Sequence, residues 1–193
     1  MNDAELAGML DFLRAAERLK STLRSGHTSA GRRESVAEHT WRLCLMSMLL
    51  AERFADVDFA RLIEICIVHD LGEAIGGDVP ATEQCGAGKA ERERRDLLEL
   101  LAPLPPGPRD RILARWDEYE LAATPEARLA KALDKLETIL QHTQGENPVD
   151  FDYRFNLEYG RRFTSDDPLI AKIRAALDRE TERRAREAES KRK

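Results

Sequence analysis

The stretch 66-CIVHDLGEAIGGD-78 decides how this chain is read. An apolar run from Ile63 to Val68, broken only by Glu64, ends in His69 and Asp70. Gly72, Glu73, the pair Gly76-Gly77 and Asp78 follow. The run predicts a buried helix over about 59–71, with an imidazole and carboxylates where the core ends. Glu73 lies four residues past His69 and three past Asp70, so all share one surface if the helix continues that far. Imidazole nitrogen and carboxylate oxygen together suit a borderline or hard divalent cation. Adjacent helical residues diverge by ~100°, so His69 and Asp70 reach one ion only in the seam between them. Otherwise Asp70 orients His69 from behind. Spacing leaves both arrangements open.

Outward from this stretch the periodicity is helical almost throughout, and alternating strand patterns are scarce. Leu6, Leu10 and Leu13 begin a first stripe. Ser35 and Glu38 in "SVAE" match a capping box, opening a helix through Leu43, Met46, Leu50 and Phe54. Another helix is expected over about 90–101. "APLPPGPRD" reads as a rigid connector before a helix with Ile112, Trp116 and Tyr119. Thr124-Pro125 is an N-cap and N1 pair opening a helix through Leu129, Leu133, Leu136 and Leu140, and Asp167-Pro168 repeats the signal before Leu169, Ile173 and Leu177. Beyond Leu177 the chain is nearly all charge of mixed sign, which favours a solvated helix end over a nucleic-acid arm. The expectation is an all-α helical bundle: one domain over 1–178 and a charged C-terminal helical extension or tail over 179–193.

A chain of 193 residues with 42% apolar and 35% charged residues has room for a core and a lined pocket. Its net charge of -5 argues against a nucleic-acid polymer as partner, while leaving room for a local basic pocket and a small anionic substrate. Cys44, Cys66 and Cys85 are odd in number, and two lie in apolar helical runs. They read as buried thiols in a reducing compartment. The N-terminal stretch carries acids and an amphipathic pattern unlike a signal peptide, and the longest apolar run is far short of the ~20 residues of a membrane span. The expectation is a cytoplasmic protein without a membrane partner.

The histidines are His27, His39, His69 and His142. His39 falls in the first turn after the Ser35 cap. A metal site needs a further ligand from elsewhere, and in "ARLAKALDKLETILQ" Glu137 stands nearer the leucine stripe than Asp134, so pattern alone ranks Glu137 first.

"ESVAEHTWR", then "HDLGE" with "GD" shortly after, then "KALDKLE" resemble the HD-domain phosphohydrolase superfamily, whose signature is an early His, a His-Asp doublet and a late Asp. The finer resemblance, over about 10–141, is to its 5'-deoxynucleotidase branch, through "LKSTLR", "GDVPA" and "WDEYELAATPEARLAKALDKLE". The resemblance implies an HD-domain fold with His39, His69, Asp70 and Asp134 as metal ligands, so Asp134 displaces Glu137. It implies Glu73 as the catalytic acid, and Arg24, Asp78, Val79, Pro80 and Ala81 on the substrate side. The implied cofactor is a divalent ion (Mn, Fe, Co, Ni or Zn, with Mg a further candidate). The implied activity is metal-dependent hydrolysis of (deoxy)ribonucleoside 5'-monophosphates, and the implied assembly is a homodimer. The chain departs from the branch just beyond Arg24, where "SGHT" replaces an expected bulky aromatic; the resemblance therefore implies no choice between deoxyribose and ribose. The competing readings are an HD phosphohydrolase for nucleoside triphosphates or another phosphate ester, and a non-catalytic nucleotide sensor. Arg33 and Glu34 are expected to buttress the site as an ion pair, Trp41 and Trp116 to be core or interface aromatics, and Gly76 and Gly77 to let the backbone approach a ligand.

Overall fold

The fold is seen in a computed structural model that describes residues 1–80 and 88–191. Helices dominate, as the periodicity requires. In chain order they are α1 (Asp3–Ala16), α2 (Val36–Leu50), α3 (Phe59–Val68), α4 (Glu73–Gly76), α5 (Lys89–Leu101), α6 (Pro106–Leu121), α7 (Pro125–Gln144), α8 (Phe155–Glu158), α9 (Arg161–Thr164) and α10 (Pro168–Lys191). The ends read from sequence are made by the expected groups. Ser35 Oγ accepts from the Glu38 amide while Glu38 accepts from the Ser35 amide, Thr124 Oγ1 accepts from the Ala127 amide, and Asp167 accepts from the Leu169 and Ile170 amides.

The long helix α7 is the axis of the molecule, packed by α2, α3, α6 and α10. Leu43, Ile65, Leu133, Leu136 and Ile139 are wholly buried where these helices meet. A second apolar cluster joins Leu97, Leu100 and Leu101 of α5 to Trp116, Val36, Val68 and Leu71. His39 lies on α2 between Val36 of the second cluster and Leu43 of the first, so this buried imidazole sits at the junction of the two cores.

Several local expectations are corrected. Helix α3 ends at Val68, with His69 as its cap; tight turns, Leu71 N to Val68 O and Glu73 N to Asp70 O, carry the chain into α4. On α1, Leu6, Leu10 and Leu13 are exposed, and it is Met9, Phe12 and Ala15 that pack inward. Pro106 and Pro108 are not connector but the first turn of α6, where a missing amide hydrogen costs nothing. Trp116 is core, whereas Trp41 is 66% exposed.

A two-stranded antiparallel hairpin, β1 (Leu23–His27) with β2 (Arg33–Ser35), also precedes α2. It is clamped to the end of α7: Asn147 Oδ1 accepts from the His27 amide, and a Cβ on Gly26 would stand 2.9 Å from the His142 ring. Helix α10 runs unbroken past residue 178, and its Thr181 and Ala185 are buried.

Candidate metal centre and active site

His39 is fully buried near the start of α2. Its Nδ1 is bonded to the Glu137 carboxylate of α7, which directs Nε2 the other way. That Nε2 stands 3.3 Å from Asp134 Oδ1 and 4.0 Å from Asp70 Oδ2. His69, the C-cap of α3 with its amide still bonded to the Ile65 carbonyl, donates from Nδ1 to the Cys66 carbonyl at 2.8 Å. A carbonyl only accepts, so Nδ1 carries the proton and Nε2 is the nitrogen that offers a lone pair in the neutral ring. It lies 3.0 Å from Asp70 Oδ2. The two adjacent side chains thus meet in the seam between their helical directions. Both Nε2 atoms are buried and without a hydrogen-bond partner.

A buried polar atom without a partner is costly; two facing the same carboxylates fit a shared cation. His39, His69 and Asp70 each bring a ligand atom within 4.8 Å of the others, and Asp134 Oδ1 adjoins them. Glu34, His39 and Glu137 form a second such cluster, but arginines already neutralise it. Arg42 donates to Glu137 at 2.5 Å, and Glu34 lies 3.7 Å from Arg24 and 3.8 Å from Arg42. Only the first cluster has bare nitrogen donors, and its nitrogen and oxygen set fits a divalent ion.

The electrostatics agree with that fit. Burial and Arg24 oppose protonation of His39, yet Glu137 and Asp134 outweigh them and push it up to about 9. Burial also opposes ionisation of the two aspartates. His69 and Arg24 nonetheless hold Asp70 below its usual range, and Lys135 and His39 hold Asp134 well below. By itself the cluster keeps both aspartates ionised and draws a proton onto His39, the behaviour of a site that favours positive charge. Glu73 is the opposite case. Burial first, then Asp70 and Asp78, push its carboxyl up to about 10, and its Oε2 is buried without a partner.

His69, Asp70, Glu73 and Asp134 line a cleft of 1020 Å³, with His39 buried behind them, at the top of the range of about 300–1,000 Å³ for small-molecule sites. Arg24, Asp78, Val79 and Pro80 line it with His69, Asp70, Glu73 and Asp134; Ala81 and Cys85 lie outside the described residues. Arg24 is fixed on β1 by donating to Asp70 at 3.2 Å and Thr138 at 3.1 Å. The expected Arg33–Glu34 pair does not form, because neighbours on a strand point to opposite sides. Arg33 instead caps the Leu23 and Arg24 carbonyls. Gly76 makes its close approach to Asp96 of α5, where a Cβ would meet Oδ2 at 2.4 Å, and Gly77 turns the chain at φ 76°.

Another part of the lining escaped the sequence reading. It comes from Phe151, Phe155, Tyr159 and Phe163, with Lys131 and Lys135 of α7. A signal was present: five of the chain's eleven aromatic residues fall between 151 and 163, outside any helical stripe. Tyr119, read as part of a core stripe, also reaches the site, donating to Asp134 Oδ2 at 2.6 Å.

Comparison with known proteins agrees with this arrangement. The family model described as HD domain matches residues 16–174, and the chain belongs to the HD-domain family. Within it, the chain is 35% identical over 136 residues to 5'-deoxynucleotidase HDDC2 of Danio rerio, covering 69% of this chain and 67% of that one. It is 33% identical over 142 residues to the Homo sapiens protein of the same name, covering 72% and 69%. A crystal structure described as a predicted metal-dependent phosphohydrolase from Magnetospirillum magnetotacticum MS-1 superposes with a TM-score of 0.81 at 30% identity, covering 94% of this chain and 97% of that one.

Proposed function

We propose that this chain is a metal-dependent phosphomonoesterase that hydrolyses (deoxy)ribonucleoside 5'-monophosphates to nucleoside and phosphate. The observation that carries the proposal is the pair of buried, unpartnered Nε2 atoms of His39 and His69, converging with Asp70 and Asp134 at the cleft wall beside Glu73. The names of the relatives support the substrate class.

His39, His69, Asp70 and Asp134 hold the divalent ion in this reading. When bound, the ion supplies charge neutralisation for phosphoryl oxygens and a lowered pKa for water. The rest is done by the chain. Glu137, braced by Arg42, fixes the His39 ring, and the Cys66 carbonyl fixes His69. Glu73, protonated at neutral pH because burial and two aspartates oppose its charge, is the donor for the departing sugar oxygen. Arg24 offers a guanidinium fork within the cleft to phosphate and sugar, and Asp78, Val79 and Pro80 form the nucleotide-side wall, with Ala81 proposed as a substrate-side residue on the resemblance alone.

The proposal extends to a homodimer and a cytoplasmic location. Trp41, Leu45, Met48 and Leu49 form an uncovered apolar stripe on α2 that supports the dimer. Free Cys44 and Cys66 support a reducing compartment, and no helix among the described residues is long and apolar enough to cross a membrane. Sedimentation equilibrium tests the dimer. Phosphate release from the four common deoxynucleoside 5'-monophosphates, their ribose forms and the matching triphosphates, each with Mn, Co, Mg and Zn, tests the activity. Monophosphate turnover is expected, and turnover of triphosphates alone rejects the proposed substrate class.

A further inference from the structure

The two oxygens of Asp134 have different surroundings. Oδ1 faces the bare Nε2 of His39 at 3.3 Å. Oδ2 accepts from the Tyr119 hydroxyl at 2.6 Å and from the Lys135 ammonium at 2.8 Å. A carboxylate oxygen offers two lone pairs, and on Oδ2 both are taken.

Neither donor is a casual neighbour. Tyr119 belongs to α6 and is 5% exposed, held by Lys131, whose ammonium sits 3.8 Å from the ring centroid and is paired with Glu120 at 3.0 Å. The same ring packs on His69, centroid to centroid 5.1 Å. One side chain therefore touches two of the four proposed ligands: its face steadies an imidazole and its hydroxyl occupies one oxygen of a carboxylate. Lys135 lies next to Asp134 on α7 and spans back to it, with its ammonium 5.2 Å from the Tyr159 ring centroid.

We infer that Tyr119 and Lys135 are positioning residues that restrict Asp134 to a one-oxygen donor at the metal centre. With Oδ2 saturated, Oδ1 alone faces the cation, and the carboxylate cannot swing to chelate it. An ion held through single atoms of four side chains keeps positions free for a phosphate oxygen and a water; a chelating Asp134 closes one of them. The inference rests on the proposed metal-binding reading of this cluster.

The test is titration of Co(II) alone into the metal-free full chain, followed by its visible absorption, for wild type, Tyr119→Phe and Lys135→Met. Tyr119→Phe retains the ring on His69 and under Lys131, and removes only the hydroxyl. Tyr119→Phe is expected to weaken Co(II) binding about ten-fold and to lower the intensity of the visible bands as Asp134 takes up a second contact. Lys135→Met is expected to lower the band intensity in the same way, without weakening Co(II) binding because it removes a positive charge beside the ion, with far-UV circular dichroism unchanged in both. A wild-type visible spectrum in both variants overturns the inference while leaving the metal site standing. A wild-type chain that takes up no Co(II) removes the metal reading and this inference with it.

Discussion

Glu137 and Asp134 hold opposite edges of one imidazole: Glu137 bonds to Nδ1 of His39, and Asp134 stands at its Nε2. Both acids lie on α7 and both are buried, but only Asp134 is on the side where a cation finds bare lone pairs. Asp134→Asn is therefore expected to abolish stoichiometric metal uptake. Glu137→Gln is expected to retain uptake with affinity reduced by about 10- to 100-fold. Metal analysis after dialysis separates the two, and the reverse order would make Glu137 the ligand.

Glu73→Gln keeps the size of a side chain that burial already holds neutral, so metal content and melting temperature should stay near wild type. Without a transferable proton on that group, kcat should fall by about 10²–10⁴. Steady-state phosphate release checks this. Unchanged kcat removes Glu73 from the proton transfer.

His142 makes a pH prediction away from the metal ligands. Its Nδ1 pairs with Asn156 Oδ1 at 2.9 Å, and burial pushes its pKa down to about 4. The folded value lies below the ordinary value of about 6.5, so between the two the unfolded chain binds more protons. The contribution is full above about pH 6.5 and is lost as pH falls toward 4, by up to about 3 kcal/mol. Urea unfolding across that window should be less pH-dependent for His142→Gln than for wild type. Parallel curves would contradict the assignment.

Gly72 tests how α5 supports the site. A Cβ there would stand 2.8 Å from the Glu93 carbonyl oxygen, so Gly72→Ala must push α4 and Glu73 away from α5. A loss of roughly 1–3 kcal/mol is expected, with kcat lowered more than metal affinity, because Glu73 moves and His69 does not. Thermal unfolding and Co(II) titration read the two effects.

What sequence could and could not show follows from how local each determinant is. The caps at Ser35, Thr124 and Asp167 were legible because their partners lie two or three residues away. The hairpin was not, since Leu23–His27 and Arg33–Ser35 are short and charged and are held by distant groups: Asn147 on the His27 amide, and His142 over Gly26. Periodicity placed Glu137 nearer the core, which is true, but burial does not say which nitrogen of His39 each acid meets. That choice came from the family pattern. Tyr119 looked like one more stripe residue because its ring is packed; only its hydroxyl, reaching across to α7, betrays the second role. Leu6, Leu10 and Leu13 fit a helical stripe as well as Met9 and Phe12 do, and only the placement of α5 decides which face is covered.

The central claim is that the bare Nε2 atoms of His39 and His69 hold a divalent ion on which nucleotide hydrolysis depends. The direct measurement is phosphate release from a deoxynucleoside 5'-monophosphate by chelator-stripped protein as Co(II) is added in steps, with His69→Ala alongside. The account predicts no release from stripped wild type, release rising with bound Co(II) until the site is filled, and none from His69→Ala. Turnover by the stripped protein, or equal turnover by His69→Ala, would contradict it.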